Sequence, residues 1–299
     1  MKIMEFDGIY RAYKRGHDVI KDVSFSAEPG EVVGLLGKNG AGKTTLIRIA
    51  MGMLEADKGS VRLFGLDPRK EPMEVKRRVG YVSEDQILPP FLRVEQVIDL
   101  HRALFRDWDD DTARGLLDGF RLSPRAKVGS LSKGQARQVA LICAVSHRPE
   151  LLLLDEPAGG LDPAARREFL ETSIQLLNEA GSTILFSSHH MTDVERVAGR
   201  VVMIHEGQLL LDSELDALRE GYSIALIPLS AGTNGNKRNL QSQPDCVAVR
   251  ERSDAVHAVF RLDPERTQQL LANRMGIEGA NIRTVALEEM FIELVEGQS

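Results

Sequence analysis

Residues 37–45 read GKNGAGKTT, a Gly-x-x-x-x-Gly-Lys-Thr run that obliges the chain to pass from a strand through a tight turn into a helix. Before it, Val32, Val33, Gly34, Leu35 and Leu36 form a short apolar run, the pattern of a buried strand. After it, Leu46, Ile47, Ile49, Ala50 and Met53 recur at helical spacing. Glycines let such a turn curl around an oxyanion, successive N–H groups point inward, and the helix N-terminus adds positive potential. The pattern therefore predicts a nucleoside triphosphate held by Gly37, Lys38, Asn39, Gly40, Ala41, Gly42, Lys43, Thr44 and Thr45. Lys43 is expected to reach the β- and γ-phosphates and the Thr44 hydroxyl to ligate Mg²⁺.

Composition limits what this motif can be attached to. The 299 residues, 42% hydrophobic and 27% charged, fit a globular protein of one large core with an appendage. With 38 Lys and Arg against 44 Asp and Glu, the net charge of −6 offers no global basic field for nucleic acid. Cys143 and Cys246 lack metal-ligand spacing and read as small hydrophobes in a reducing, cytosolic setting. The opening segment MKIMEFDGIYRAYKRG has no apolar signal core, and no run approaches the ~18 to 20 apolar residues of a membrane helix. Any role at a membrane is expected to be peripheral.

Strand and helix patterns alternate through residue 212, which predicts an α/β core with a largely parallel sheet. Met4–Phe6 and Val23–Phe25 flank a hairpin-like segment around Lys14 to Asp18, and Val61–Phe64 alternates like an edge strand. Val79–Val82 is a further short β-like run. Arg93 to Arg121 turns helical, with acids at Asp107 to Asp111 expected to cap its second helix. Leu131–His147 reads as a strong amphipathic helix stopped by Pro149, followed by the central strand Leu151–Leu154. Helices are expected over Arg166–Ala180 and Met191–Ala198, a strand over Thr183–Phe186, and a hairpin about Glu206-Gly207. Composition shifts near residue 212. The remainder predicts a small α+β module with strands at Ile224–Ile227, Val247–Val249 and Val256–Phe260 and helices at Pro264–Met275 and Leu287–Val295. Ser230 to Pro244 has almost no apolar residues and reads as a looped insert.

Leu151–Leu154 delivers Asp155 and Glu156 at a strand's C-terminal end, where α/β sheets bind ligands. Asp155 is expected to hold Mg²⁺, directly or through water, and Glu156 to polarise water for attack on a γ-phosphate. Leu131-Ser132-Lys133-Gly134-Gln135 opens a helix with a serine N-cap, a second anion-binding end, although an ordinary cap explains Ser132 as well.

Taken in order, GKNGAGKTT, LSKGQ, LLLLDEP, GGLDP and SSHH are similar to the ATPase subunit of ABC transporters, over essentially residues 1–212. The resemblance implies a P-loop NTPase of the ABC ATPase fold: an α/β core, an antiparallel β subdomain, a helical subdomain at about 87–145, and here a C-terminal accessory α+β domain at 213–299. It implies a head-to-tail pair of ATPase subunits, homodimer or paralogues, with ATP and Mg²⁺ at the interface. Tyr13 resembles the aromatic that stacks on adenine, with a partly buried hairpin tyrosine as the other reading. Ser132 and Gly134 would contact the γ-phosphate held by the opposite subunit, and Asp162 would lie near the partner's P-loop. His189 would bond the γ-phosphate and orient the attacking water; adjacent His190 is confusable, and the spacing after Ser187-Ser188 favours His189.

Two positions depart from the family pattern. Glu84 stands after Gly80-Tyr81-Val82-Ser83 where glutamine is usual, still offering oxygen to Mg²⁺ or water but adding negative charge; Gln86 is the other candidate for that place. Lys133 stands where glycine is commonest, unfavourable to the helix dipole but able to help neutralise phosphate. The tail Leu287-Glu288-Glu289-Met290-Phe291-Ile292 resembles ATPases of bacterial exporters of drugs, antimicrobial peptides or polysaccharides, as more softly do GYVSED and the Trp108 segment. The expectation is an ATPase dimerising on ATP to drive a separate transmembrane permease, peripheral on the cytoplasmic face of the membrane, without nucleic acid. The rival is a soluble ABC-type ATPase in translation or DNA maintenance. Against it stand the single cassette, the absence of a coiled-coil interruption and the acidic charge.

Overall fold

The computed structural model describes residues 2–14, 16–84, 88–179, 181–229 and 237–297. The chain divides into two compact units, Met1–Asp212 and Ser213–Ser299.

Runs of consecutive apolar residues build the sheet at the centre of the first unit. Strands β3 (Val32–Leu36), β6 (Leu151–Leu154) and β7 (Thr183–Ser188) are buried at every position, as expected of strands covered on both faces. With β5 (Val79–Val82), β8 (Arg200–His205) and β9 (Gln208–Glu214) they form a sheet of order β5-β6-β7-β3-β8-β9. The neighbours from β5 through β8 run parallel. Their register places Leu36 beside Ser188, and both Phe186 and Val82 beside Leu154. The loops that follow four strands are thus gathered on one edge. β8 returns into β9 through Glu206 (φ 47°) and Gly207 (φ 80°), the paired positive angles of a two-residue hairpin.

A second, antiparallel sheet orders β1 (Met4–Lys14), β2 (His17–Ala27) and β4 (Lys58–Leu63) as β2-β1-β4, with β4 at the expected edge. Helix α1 (Lys43–Ala50) lies between the two sheets, and its Leu46, Ile47 and Ile49 share one core with Phe6, Ile9, Phe25, Leu35, Leu153 and Leu185. α1 ends before Met53, which is exposed rather than on the buried face the spacing suggested. Short α2 (Pro72–Arg78) leads into β5.

Helices α3 (Val94–Leu104), α4 (Asp110–Gly119) and α5 (Lys133–Val145) pack together as a helical layer. The expected beginning of this layer at 87 lies outside the described residues. Asp109 caps α4 through bonds from the Asp111 and Thr112 amides, as the acid cluster predicted. α5 corrects its sequence reading: Val139 through Val145 are all buried, so its second half is enclosed rather than amphipathic. α6 (Pro163–Glu179) and α7 (Met191–Val197) complete the unit.

The second unit begins with α8 (Leu215–Gly221) and continues β10 (Ser223–Pro228), α9 (Lys237–Gln241), β11 (Cys246–Glu251), β12 (Ala255–Phe260), α10 (Pro264–Gln269) and β13 (Asn281–Thr284). Sheet order β11-β12-β10-β13, antiparallel throughout, makes this a split βαββαβ arrangement. α9, α8 and β13 were not anticipated: α9 sits inside the stretch read as a looped insert, whose residues 230–236 lie outside the described residues. Leu240 explains α9, being the one apolar side chain of Lys237–Gln241 and fully buried. The helix read over Pro264–Met275 is α10 followed by a π turn at Leu270–Arg274. α11 (Leu287–Gly297) packs on β11 and β12.

Candidate functional site

The glycine turn after β3 has its shape for reasons internal to the fold. Gly42, with φ 109°, caps α1, and a Cβ there would stand 2.3 Å from Ile20 Cδ1 and 3.0 Å from the Val19 carbonyl. Gly40 also has positive φ (82°) but open space around it, so only its backbone angle calls for glycine. The first bond of α1 runs from Leu46 N to Gly42 O at 3.0 Å, leaving the amides of Lys43, Thr44 and Thr45 without intrahelical acceptors. Lys43 is only 6% exposed. Its ammonium folds back into the turn, donating to the carbonyls of Gly37 at 2.7 Å and Lys38 at 3.4 Å. A buried cation, three helix-start amides and a curled backbone form a cradle for a polyanion.

The register of β3, β6 and β7 brings acids to this cradle. Thr44 Oγ1 donates to Asp155 Oδ1 at 3.0 Å, and Ser187 Oγ donates to the same oxygen at 2.8 Å while accepting the Glu156 amide at 2.8 Å. Burial pushes the Asp155 carboxyl above the usual carboxylate range, and the two hydroxyl donors oppose that shift. Glu156 Oε1 lies 3.1 Å from Lys43 Nζ in an ion pair buried at both ends. Glu156 Oε2 lies 3.0 Å from His189 Nδ1, and because a carboxylate only accepts, Nδ1 carries the proton and Nε2 is left to accept. Glu156 holds φ 47°, an uncommon conformation for a residue with a side chain.

Of the residues expected from sequence, Lys43, Thr44, Asp155, Glu156 and His189 therefore meet. Tyr13 stands beside them: the residue is 52% exposed and its hydroxyl lies 3.3 Å from Thr45 Oγ1. Glu84 is exposed, and its backbone carbonyl accepts from Arg137 Nη2 at 3.2 Å. Gln86 lies outside the described residues.

Ser132, Gly134 and Asp162 gather elsewhere. Ser132 and Gln135 form a reciprocal capping box at the start of α5. Asp162 Oδ1 accepts the Ala164 and Ala165 amides, each at 3.1 Å, at the start of α6. The two helix starts border one groove of about 350 Å³ lined in part by Arg121, Ser132, Gly134, Gln135, Leu161 and Phe169. Two residues escaped the sequence reading. Ser187, a hydroxyl at the end of an otherwise apolar strand, orients both acids, and Arg137 of α5 donates to the Glu156 carbonyl at 2.9 Å. The polar end of TILFSS was a usable signal for Ser187; nothing in the spacing marked Arg137.

The oxygen donors suit magnesium when phosphate completes the shell. Thr44 and Asp155 converge within 3.0 Å, and among the described residues there is no cluster of three or more His, Cys, Asp or Glu to hold a metal unaided. Mg²⁺ commonly takes one or two protein oxygens and fills its octahedron with phosphate and water.

The ABC transporter family model matches residues 20–159. The ABC transporter ATP-binding protein NatA of Bacillus subtilis (strain 168) is 37% identical over 209 residues, covering 67% of this chain and 84% of NatA. The ABC transporter ATP-binding protein YtrB of the same organism is 29% identical over 283 residues, 95% of each chain. A solved ATP-binding subunit of an ABC transporter superposes with a TM-score of 0.65 at 30% identity, covering 73% of this chain and 92% of that one.

Proposed function

Since the chain belongs to the ATP-binding, ATP-hydrolysing proteins of ABC transporters, we propose that two such subunits close on ATP to drive a separate transmembrane permease. The observation that carries this reading is the array in which buried Lys43 and Glu156 meet the more exposed His189 beside Thr44–Asp155. Lys43 and the α1 amides bind the β- and γ-phosphates, and Tyr13 offers its exposed ring to the adenine. Thr44 and Asp155 would hold Mg²⁺, which when bound offsets charge on the phosphate oxygens. Glu156 accepts the proton of the attacking water. Its conjugate interaction with His189 fixes the imidazole so that Nε2 faces the reacting group as an acceptor or, once protonated, as a donor.

Ser132, Gly134 and Asp162 lie on helix starts whose bonds close on themselves, which supports their acting on the nucleotide of a partner subunit. Each subunit then contributes half of two sites, and γ-phosphate contacts bias closure. Among the described residues no helix is long and apolar enough to cross a membrane. The family membership supports a peripheral place on the cytoplasmic face beside the permease. Export is the direction favoured by the Leu287–Ile292 segment. The transported molecule touches none of these residues.

Glu156→Gln tests the reading. Hydrolysis should fall on the order of a hundredfold or more while ATP still binds, and light scattering should show a dimer that persists with ATP. A monomer in saturating ATP overturns the paired site. Co-purification with a membrane subunit tests the permease.

A further inference from the structure

We propose that Arg137 is a positioning residue that couples the helix start serving one nucleotide to the Glu156 that hydrolyses the other. The inference rests on the paired-site reading above and names the device that links its halves. Arg137 sits five residues beyond Ser132 on the same helix, so both move with α5. Its guanidinium donates from Nη1 to the Glu156 carbonyl at 2.9 Å and from Nη2 to the Glu84 carbonyl at 3.2 Å. One planar fork thus fastens the turn after β6 and the segment after β5 to a single helix.

Glu156 is where such a contact has most effect. Its φ of 47° persists only while its surroundings hold it, and its peptide is held from both sides. The amide donates to Ser187 Oγ at 2.8 Å, and the carbonyl accepts from Arg137 and from the Gly159 amide at 2.9 Å. A Cβ on Gly159 would stand 3.6 Å from Arg137 Nη1, so the guanidinium lies directly against the turn that leads toward Asp162. When a partner's nucleotide draws Ser132 and α5, the Glu156 carbonyl is drawn with them, and the carboxylate is set or released relative to Lys43 and His189. The two sites then communicate through α5 as a two-state element biased by both nucleotides.

The experiment compares the full chain with Arg137→Ala and Arg137→Lys in steady-state ATPase assays, with ATP affinity from a fluorescent analogue and thermal melts alongside. Arg137→Ala should lower kcat by on the order of tenfold to a hundredfold, the scale of a misplaced catalytic group. Its ATP affinity and melting temperature should stay at the wild-type values, and its Hill slope should fall to one. Arg137→Lys, reaching one carbonyl instead of two, should recover part of kcat and of the slope. Wild-type kcat and slope in Arg137→Ala overturn the coupling, as does a loss of kcat matched by loss of affinity and a lowered melting temperature without rescue by lysine. If the wild-type chain hydrolyses ATP without any cooperativity, the paired-site reading fails first, independently of Arg137.

Discussion

At the scale of single residues, the site was legible where chemistry demands a particular side chain. Lys43, Thr44, Asp155 and Glu156 were visible in the sequence because phosphate, a hard cation and water leave few alternatives for their partners, whereas His189 was reached only through the family resemblance. The glycines were visible for an incomplete reason. Gly42 was expected so that the turn could curl around an oxyanion, whereas the fold itself requires it, through a left-handed φ and the proximity of Ile20. Gly42→Ala should therefore destabilise the protein, by about 1–3 kcal/mol in chemical denaturation, even without nucleotide. An unchanged midpoint would show that the turn relaxes at no cost. Glu84 carries a prediction of the opposite kind. Its extra charge is expected to weaken metal-free nucleotide, so Glu84→Gln should keep ATP binding and reduce its dependence on Mg²⁺. Titration of nucleotide affinity with and without chelator checks this, and loss of binding in the variant counts against placing Glu84 by the phosphates.

At the scale of elements, periodicity located helices and strands but not what encloses them. α5 was expected to show one polar face throughout, yet its second half is buried because β5 and the other helices surround it. His147, just beyond α5, belongs to that enclosure: its ring is 4% exposed, stacks on Phe105 with centroids 3.9 Å apart, and has Nε2 3.3 Å from the Val79 carbonyl. Burial pushes its imidazole below the ordinary 6.5. The folded chain therefore prefers the neutral ring. That contribution is complete above pH 6.5 and is lost as the pH falls from there through the lowered folded value. Denaturation between about pH 5 and 8 should show stability declining below pH 6.5 with a slope of up to about 1.4 kcal/mol per pH unit from this group. His147→Gln should flatten that decline. An equally steep profile in the variant would assign the loss to other groups.

At the scale of the whole molecule, the second unit owes its coherence to pairings no local pattern discloses. Glu289, Glu293 and Glu296 lie on one stripe of α11, and each meets an arginine of the sheet or of the residue after it. Glu289 pairs with Arg283 at 2.7 Å and Glu296 with Arg250. Glu293, only 1% exposed, meets Arg252 at 2.8 Å and His257 at 3.1 Å. Breaking a buried pair from one side leaves the other charge poorly solvated. With Arg252 partly open to solvent, Glu293→Ala should cost about 2–4 kcal/mol locally. Hydrogen exchange in the full chain should report faster opening of β11, β12 and α11, and unchanged protection there would reduce the pair to decoration.

By itself, the order of motifs determined the cassette and its chemistry, because catalysis on a triphosphate fixes both residue types and their places at strand ends. Only the tertiary structure decided how those places come together. Parallel register sets Leu36 beside Ser188 and Phe186 beside Leu154, and that alignment lets Ser187 and Arg137 hold Glu156 in a conformation its own sequence neighbours do not favour. Side-chain type can be read along a chain. Enclosure, orientation and backbone strain exist only once distant segments are packed against one another.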